Sequence, residues 1–208
     1  TSRMVLRTHN LRGPQVVHTL TYNDSEYKTS VGYSTTGKHT VREFVKSNGA
    51  VAGINGGYHD FNPNTEYKGG ITRLRVDNKD IVTKNSMLEN GLQDEDANGV
   101  LGIDHRGKVY IFKSLDFEKY MLPTFLFSGP LLVLDSQIQN TSDTTWNNVR
   151  NPRTAVCTTT TSDLVKFVVV DGRSERAIGM AIPEFATFLQ SAAECRHAIN
   201  LDGGGSSL

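Results

Sequence analysis

Neither sign of charge predominates in this 208-residue chain: 22 Lys plus Arg stand against 22 Asp plus Glu, for a formal net charge of zero at pH 7. That balance argues against a nucleic-acid or anionic-membrane partner held by bulk electrostatics, though it leaves local basic sites open. Long apolar runs are missing too. No stretch approaches the roughly 18 residues of a membrane-spanning helix, so no transmembrane segment is expected. Thr1 opens a polar segment with no visible leader. Cysteine is scarce: Cys157 and Cys195 allow one disulfide or two thiols. Cys157 in an alternating apolar segment and Cys195 at an expected helix end favour buried thiols. Several catalytic signatures are absent. There is no Gly-x-Ser-x-Gly elbow, no dinucleotide fingerprint, no phosphate-loop Lys-Ser/Thr pair and no paired histidine spacing for a metal.

What remains is a chain long enough for one domain, 1–208, with a sizeable core despite a hydrophobic content of only 37%. The many Asn, Thr, Ser and Tyr residues suit an extracytoplasmic, carbohydrate-active protein, secreted, periplasmic or at the cell surface. Short β-prone segments dominate, at 16–22, 50–54, 108–112, 131–134, 154–159, 164–170 and 197–201. Helical signals are few. Thr40 can N-cap 41–47, with Asn48-Gly49 as the stop, and Pro183 suits the first turn of a helix running to Glu194. A third short helix is expected near 115–120, with loops at 62–96 and 140–151. The excess of strands without regular βα alternation predicts an α+β fold. Its form would be a mixed, largely antiparallel sheet carrying two or three helices.

The most informative segment closes the chain. Ala198-Ile199-Asn200-Leu201-Asp202-Gly203-Gly204-Gly205-Ser206-Ser207 runs an apolar strand into an aspartate and three glycines. Such a strand end brings polar side chains to a sheet edge, and glycine lets backbone approach a ligand. A flexible Gly-Ser tail would explain the last five of these residues but not the Ile-Asn-Leu-Asp lead-in. A similar arrangement, Ile54-Asn55-Gly56-Gly57-Tyr58-His59-Asp60-Phe61, lies nearer the start. Between them stand Phe127-Ser128-Gly129-Pro130, Asn151-Pro152-Arg153-Thr154-Ala155 and Val170-Asp171-Gly172-Arg173. Each alone is an ordinary turn or strand end. His59 alone reads as a surface imidazole.

In this order the set resembles the phosphodiester glycosidase family, over roughly 50–207. The resemblance implies hydrolysis of a sugar-1-phosphodiester such as an N-acetylglucosamine-1-phosphodiester, releasing the sugar and a phosphomonoester. Cleaving the bond at C1 builds positive charge on the sugar, which a carboxylate can stabilise. Asp171 and Asp202 are therefore the candidate catalytic pair, one as base or nucleophile and the other orienting substrate or holding a cation. Arg153 and Arg173 are candidates for the phosphate, through their planar forks. Asn55 and Asn200 suit sugar hydroxyls or an acetamido group, and Tyr58 the sugar face. Ser128 and Gly129 join the site through their motif. The backbone of Gly56, Gly57, Gly203 and Gly204 could form an anion nest. No cofactor is required by this scheme, and a divalent cation stays open. Family members look as though they continue past the Gly-rich motif, so the domain is expected to be incomplete at Leu208. The alternative is a non-catalytic glycan- or phosphate-binding domain of the cell envelope, or a structural envelope protein with a vestigial site.

Overall fold

The computed structural model describes residues 4–59, 70–83, 97–161 and 163–207. Two antiparallel sheets face one another. The larger has seven strands and is built, in spatial order, from β1 (Val5–Leu11), β2 (Gln15–Asn23), β11 (Leu164–Val170), β10 (Arg153–Thr159), β12 (Cys195–Asn200), β8 (Leu131–Leu134) and β9 (Gln137–Ile138). The five-stranded sheet is ordered β4 (Lys79–Val82), β3 (Leu74–Val76), β7 (Thr124–Ser128), β5 (Gly99–Ile103) and β6 (Val109–Lys113). The expected α+β class holds, with the strands divided between two sheets rather than gathered in one.

Alternation along the central strands decides what each face does. Val17, Ala155, Cys157, Val168, Val170 and Ala198 turn to one side, against Phe185, Ala186 and Leu189 of helix α3 (Ile182–Ser191). Tyr22, Val156, Val165 and Ile199 turn to the other, against Leu74, Leu101 and Leu126 of the smaller sheet. Pro183 sits in the first turn of α3, where its missing N–H costs nothing. Helix α1 (Val41–Ser47) opens on a capping box, with Thr40 accepting from the Glu43 N–H and Glu43 accepting in return from the Thr40 N–H. The short helix expected near 115–120 forms as a 3-10 helix at Ser114–Lys119, and a one-turn helix, α2 (Thr145–Asn148), forms inside the expected 140–151 loop, capped by Thr144.

Residues 62–96 are not loop throughout, since β3 and β4 form within them. Two further expectations are corrected. The cysteines are not buried thiols: Cys157 and Cys195 form a disulfide, with Cα atoms 5.7 Å apart. Helix α3 stops at Ser191, so Cys195 begins β12 instead of ending a helix. There it faces Thr159 of the neighbouring strand across a register shift, within bridging reach of Cys157. Closing this 38-residue separation is worth about 4 kcal/mol on a chain-entropy model. The second correction concerns 50–54, which is not a strand. Its Ala50 N–H turns back to the Val45 carbonyl, closing the end of α1, and the segment runs on to Asn55 without sheet partners.

Candidate functional site

The ends of the central strands position the site. Arg153 opens β10 opposite Val170, the last residue of β11, while the Leu201 N–H just past β12 donates to the Thr154 carbonyl. Asp171 and Asp202 thus emerge at the same end of the sheet, on the two strands that flank β10. At a ladder spacing of ~4.8 Å, their Cα atoms are about 10 Å apart.

Their surroundings differ sharply. Asp171 is half exposed, with its side chain 47% accessible, and its Oδ2 lies 3.1 Å from His18 Nε2. His18 Nδ1 in turn meets Thr8 Oγ1 at 3.0 Å. Asp202 is 2% exposed. Its Oδ1 accepts the Gly203 N–H at 2.8 Å, which fixes the carboxylate plane. Oδ2 has no hydrogen bond among the described residues, yet His59 Nδ1 stands 3.2 Å away. That contact is close enough for an ion pair when the imidazole carries a second proton, but it lacks the line of a hydrogen bond. A buried carboxylate oxygen left in this condition is costly for folding and available for chemistry.

The turn at 55–59 is stitched to Asp202 through both backbone and side chain. Asn55 Nδ2 donates to the Asp202 carbonyl at 2.8 Å, and its Oδ1 accepts from Thr154 Oγ1 at 2.7 Å. The Asp202 N–H donates to the Gly56 carbonyl. A Cβ on Gly57 would stand 2.8 Å from Leu126 Cδ1 and 3.1 Å from Thr72 Oγ1, so a side chain here would have to displace Leu126. Asp60 and Phe61, the end of the motif, lie outside the described residues.

A second polar cluster lies beneath. Tyr58 is buried; its hydroxyl donates to the Gly129 carbonyl at 2.6 Å and meets Asn200 Nδ2 at 3.1 Å. Asn200 Nδ2 also reaches the Gly129 and Leu201 carbonyls, and Ser128 Oγ donates to the Asn200 carbonyl at 2.8 Å. Tyr58, Ser128, Gly129 and Asn200 are brought together, with their polar groups spent largely on one another.

The arginines adjoin the Gly203-Gly204 backbone and not the 55–59 turn. Arg153 is completely buried, on the α3 side of the sheet, since it shares the parity of Ala155 and Cys157. Its Nε donates to the Met180 carbonyl, and Nη2 to those of Trp146 and Val149 at the end of α2. Burial pushes its pKa down to about 10, so it stays charged at neutral pH. Arg173, in the left-handed region at φ 60°, donates to Asn151 Oδ1. A Cβ on Gly204 would meet Arg173 Nη2 at 2.9 Å, so the absence of a side chain there makes room for the guanidinium. The Gly203 N–H is taken by Asp202 and the Gly204 N–H by the Pro152 carbonyl. Both amides therefore serve the fold.

Asn55, Gly56, Gly57, Tyr58, His59 and Asp202 line one cavity of about 880 Å³ between the two sheets. Arg153, Asp171 and Arg173 are not in its lining. Its lining among the described residues includes two lysines, Lys28 and Lys38, and two histidines, His39 and His59. No three His, Cys, Asp or Glu side chains among the described residues gather closely enough to hold a metal ion. Sequence reasoning gave no role to His59 or Thr154, although both stand in the quoted motifs. A histidine four residues past the asparagine that clamps Asp202 was the available signal.

A family model described as phosphodiester glycosidase matches residues 48–208. No curated protein sequence matches the chain at a significant level. Solved structures do. The catalytic domain of zebrafish N-acetylglucosamine-1-phosphodiester alpha-N-acetylglucosaminidase, auto-inhibited by its pro-peptide, is similar with a TM-score of 0.72 and 20% identity, over 100% of this chain and 72% of that one. A hypothetical protein from Synechocystis gives 0.65 and 13%, over 97% and 56% of the two chains. A protein of Burkholderia pseudomallei whose name marks it as exported gives 0.53 and 16%, over 93% and 69%. At these identities the likeness is one of fold.

Proposed function

The chain belongs to the phosphodiester glycosidase family, and from that membership we propose that it hydrolyses the glycosidic bond of a sugar-1-phosphodiester. An N-acetylglucosamine-1-phosphodiester is the model substrate. The observation that carries this reading is Asp202, a residue in the lining of a large cavity: its carboxylate is almost wholly buried and fixed through Oδ1, with Oδ2 lacking a hydrogen bond among the described residues. In the reaction, a water oxygen bonds to the anomeric carbon while the bond from that carbon to the phosphate oxygen breaks. The electron pair leaves with the phosphate as a monoester, and the water proton passes to a base. Asp202 takes the part of base or stabiliser of the positive sugar ring, and His59 holds or shares the proton at Nδ1. Phosphate is a weakly basic leaving group, so the site has little need of a strong acid. Asn55 keeps the 55–59 turn against Asp202, and Lys28 stands in the cavity lining, where a positive charge favours an anionic substrate. Asp171, outside the lining and paired to His18, has at most a supporting part.

An extracytoplasmic location, secreted or in the cell envelope, belongs to the same proposal, supported by the disulfide. No helix among the described residues is long and apolar enough to cross a membrane. A panel of sugar-1-phosphodiesters, assayed with and without chelator for released reducing sugar, tests the activity. Turnover of at least one supports the glycosidase, and saturable binding without turnover points to the glycan- or phosphate-binding alternative.

A further inference from the structure

The cavity that holds Asp202 is far from uniformly polar. Its floor is the apolar space between the sheets, with Tyr22, Leu101, Leu126 and Val156 in the lining. Its roof is the segment that carries α1. Val41, Phe44 and Val45 sit at i, i+3 and i+4, the spacing of a helix that covers a core. Yet α1 has no buried residue at all, and these three side chains line the cavity instead. The roof is in close contact with its own flanks. A Cβ on Gly53 would lie 2.8 Å from Val45 Cγ2, and one on Gly32 would lie 2.8 Å from Phe44 Cδ1. An apolar helix face, packed at its edges, therefore stands off an apolar floor.

A sugar and a phosphate do not account for such walls. Both consist of hydrogen-bonding groups, which lose water without recompense against Leu, Val and Phe. The polar end at Asn55, His59 and Asp202 suffices for them, and the cavity continues from it without interruption. Its volume, about 880 Å³, lies near the upper end of the range of about 300–1,000 Å³ usual for small-molecule sites. The apolar part matches a hydrocarbon chain joined to the phosphate.

We propose that the alcohol esterified to the sugar-1-phosphate is apolar, an alkyl or isoprenoid-type chain lying between α1 and the sheet floor, so that the products are a free sugar and a lipid-type monophosphate. This rests on the glycosidase reading and adds the substrate class. The test compares the methyl and octyl esters of N-acetylglucosamine-1-phosphate, with binding read by titration calorimetry and hydrolysis by release of reducing sugar. The octyl ester should bind at least tenfold more tightly, which is modest against the roughly fourfold per methylene that complete burial would give. Phe44→Asn should erase most of that gain; Val45→Thr, nearly unchanged in shape, serves as a second variant should the first fold poorly. Equal affinity for the two esters overturns the proposal even if both are hydrolysed. A gain that survives both substitutions also overturns it, by placing the chain on another apolar surface such as that around Leu115 and Met121, both almost fully exposed. Chain-length-dependent binding that the variants abolish, with neither ester hydrolysed, keeps the apolar cavity and overturns the glycosidase reading.

Discussion

His59 Nδ1 lies 3.2 Å from Asp202 Oδ2, a buried carboxylate oxygen that accepts no hydrogen bond among the described residues. The pair joins the two Gly-rich segments, which are also tied by the Asn55–Asp202 hydrogen bond across 147 residues of sequence. If the imidazole manages the proton for that carboxylate, His59→Gln should lower kcat by about 10²-fold or more, the low end of what general acid–base assistance contributes. KM should stay within about threefold, since substrate binding keeps its other contacts. Steady-state kinetics at several pH values check this. A change confined to KM would assign His59 to binding alone.

Arg153 should behave as a structural residue. Its guanidinium ties three backbone carbonyls, at Trp146, Val149 and Met180, in a fully buried setting. Arg153→Lys cannot reproduce that fork, and hydrogen bonds to charged groups are worth about 1.5–3 kcal/mol each. A loss of about 3 kcal/mol lowers Tm by about 6–12 °C in a domain of this size. Calorimetry decides the matter: an unchanged Tm with a raised KM would return Arg153 to the phosphate.

Gly57→Ala should destabilise by about 1 kcal/mol, the low end for overpacking, because Leu126 lines the cavity and can shift into it. The new methyl group would meet Leu126 Cδ1 at 2.8 Å. Gly56→Ala, whose nearest neighbour would be Leu126 at 3.9 Å, is the control and should be close to neutral. Denaturant midpoints of the two variants give the comparison.

Removing the disulfide in a Cys157→Ser/Cys195→Ser variant should cost up to about 4 kcal/mol, or about 8–16 °C in Tm. The bridge lies on the α3 side of the sheet, with Cys157 and Cys195 packed among its residues. The folded variant should therefore keep its kcat. Loss of activity at a temperature where the variant is still folded would show that β12 depends on the bridge to present Asp202.

Much of this architecture was legible from local pattern. The α3 start at Pro183 and the α1 cap at Thr40 each rest on one residue's backbone chemistry, which no tertiary contact overrides. The central strands β10, β11 and β12 announce themselves by short apolar stretches, Ala155-Val156-Cys157, Phe167-Val168-Val169-Val170 and Ala198-Ile199, set among polar residues. Residues 50–54 read as a strand for the same reason, but no partner edge reaches them, and pairing is not encoded in composition. Arg153 reads as a phosphate ligand because its motif gives the residue type and not the face; parity with Ala155 and Cys157 puts it on the α3 side. Tyr58 and Asn200 likewise look ligand-directed until their mutual hydrogen bond is seen. The cavity roof could not be anticipated, since the distance at which α1 stands from the sheet depends on contacts at Gly32 and Gly53.

The most direct test is the single substitution Asp202→Asn, assayed on a sugar-1-phosphodiester beside Asp171→Asn. Asparagine keeps the shape and an oxygen to accept the Gly203 N–H but cannot act as a base or as a full negative charge. Circular dichroism and Tm establish that both variants are folded. The account expects Asp202→Asn to lose at least about 10³-fold in kcat with KM little changed, and Asp171→Asn to lose less than about tenfold. A folded Asp202→Asn variant with wild-type kcat would contradict it.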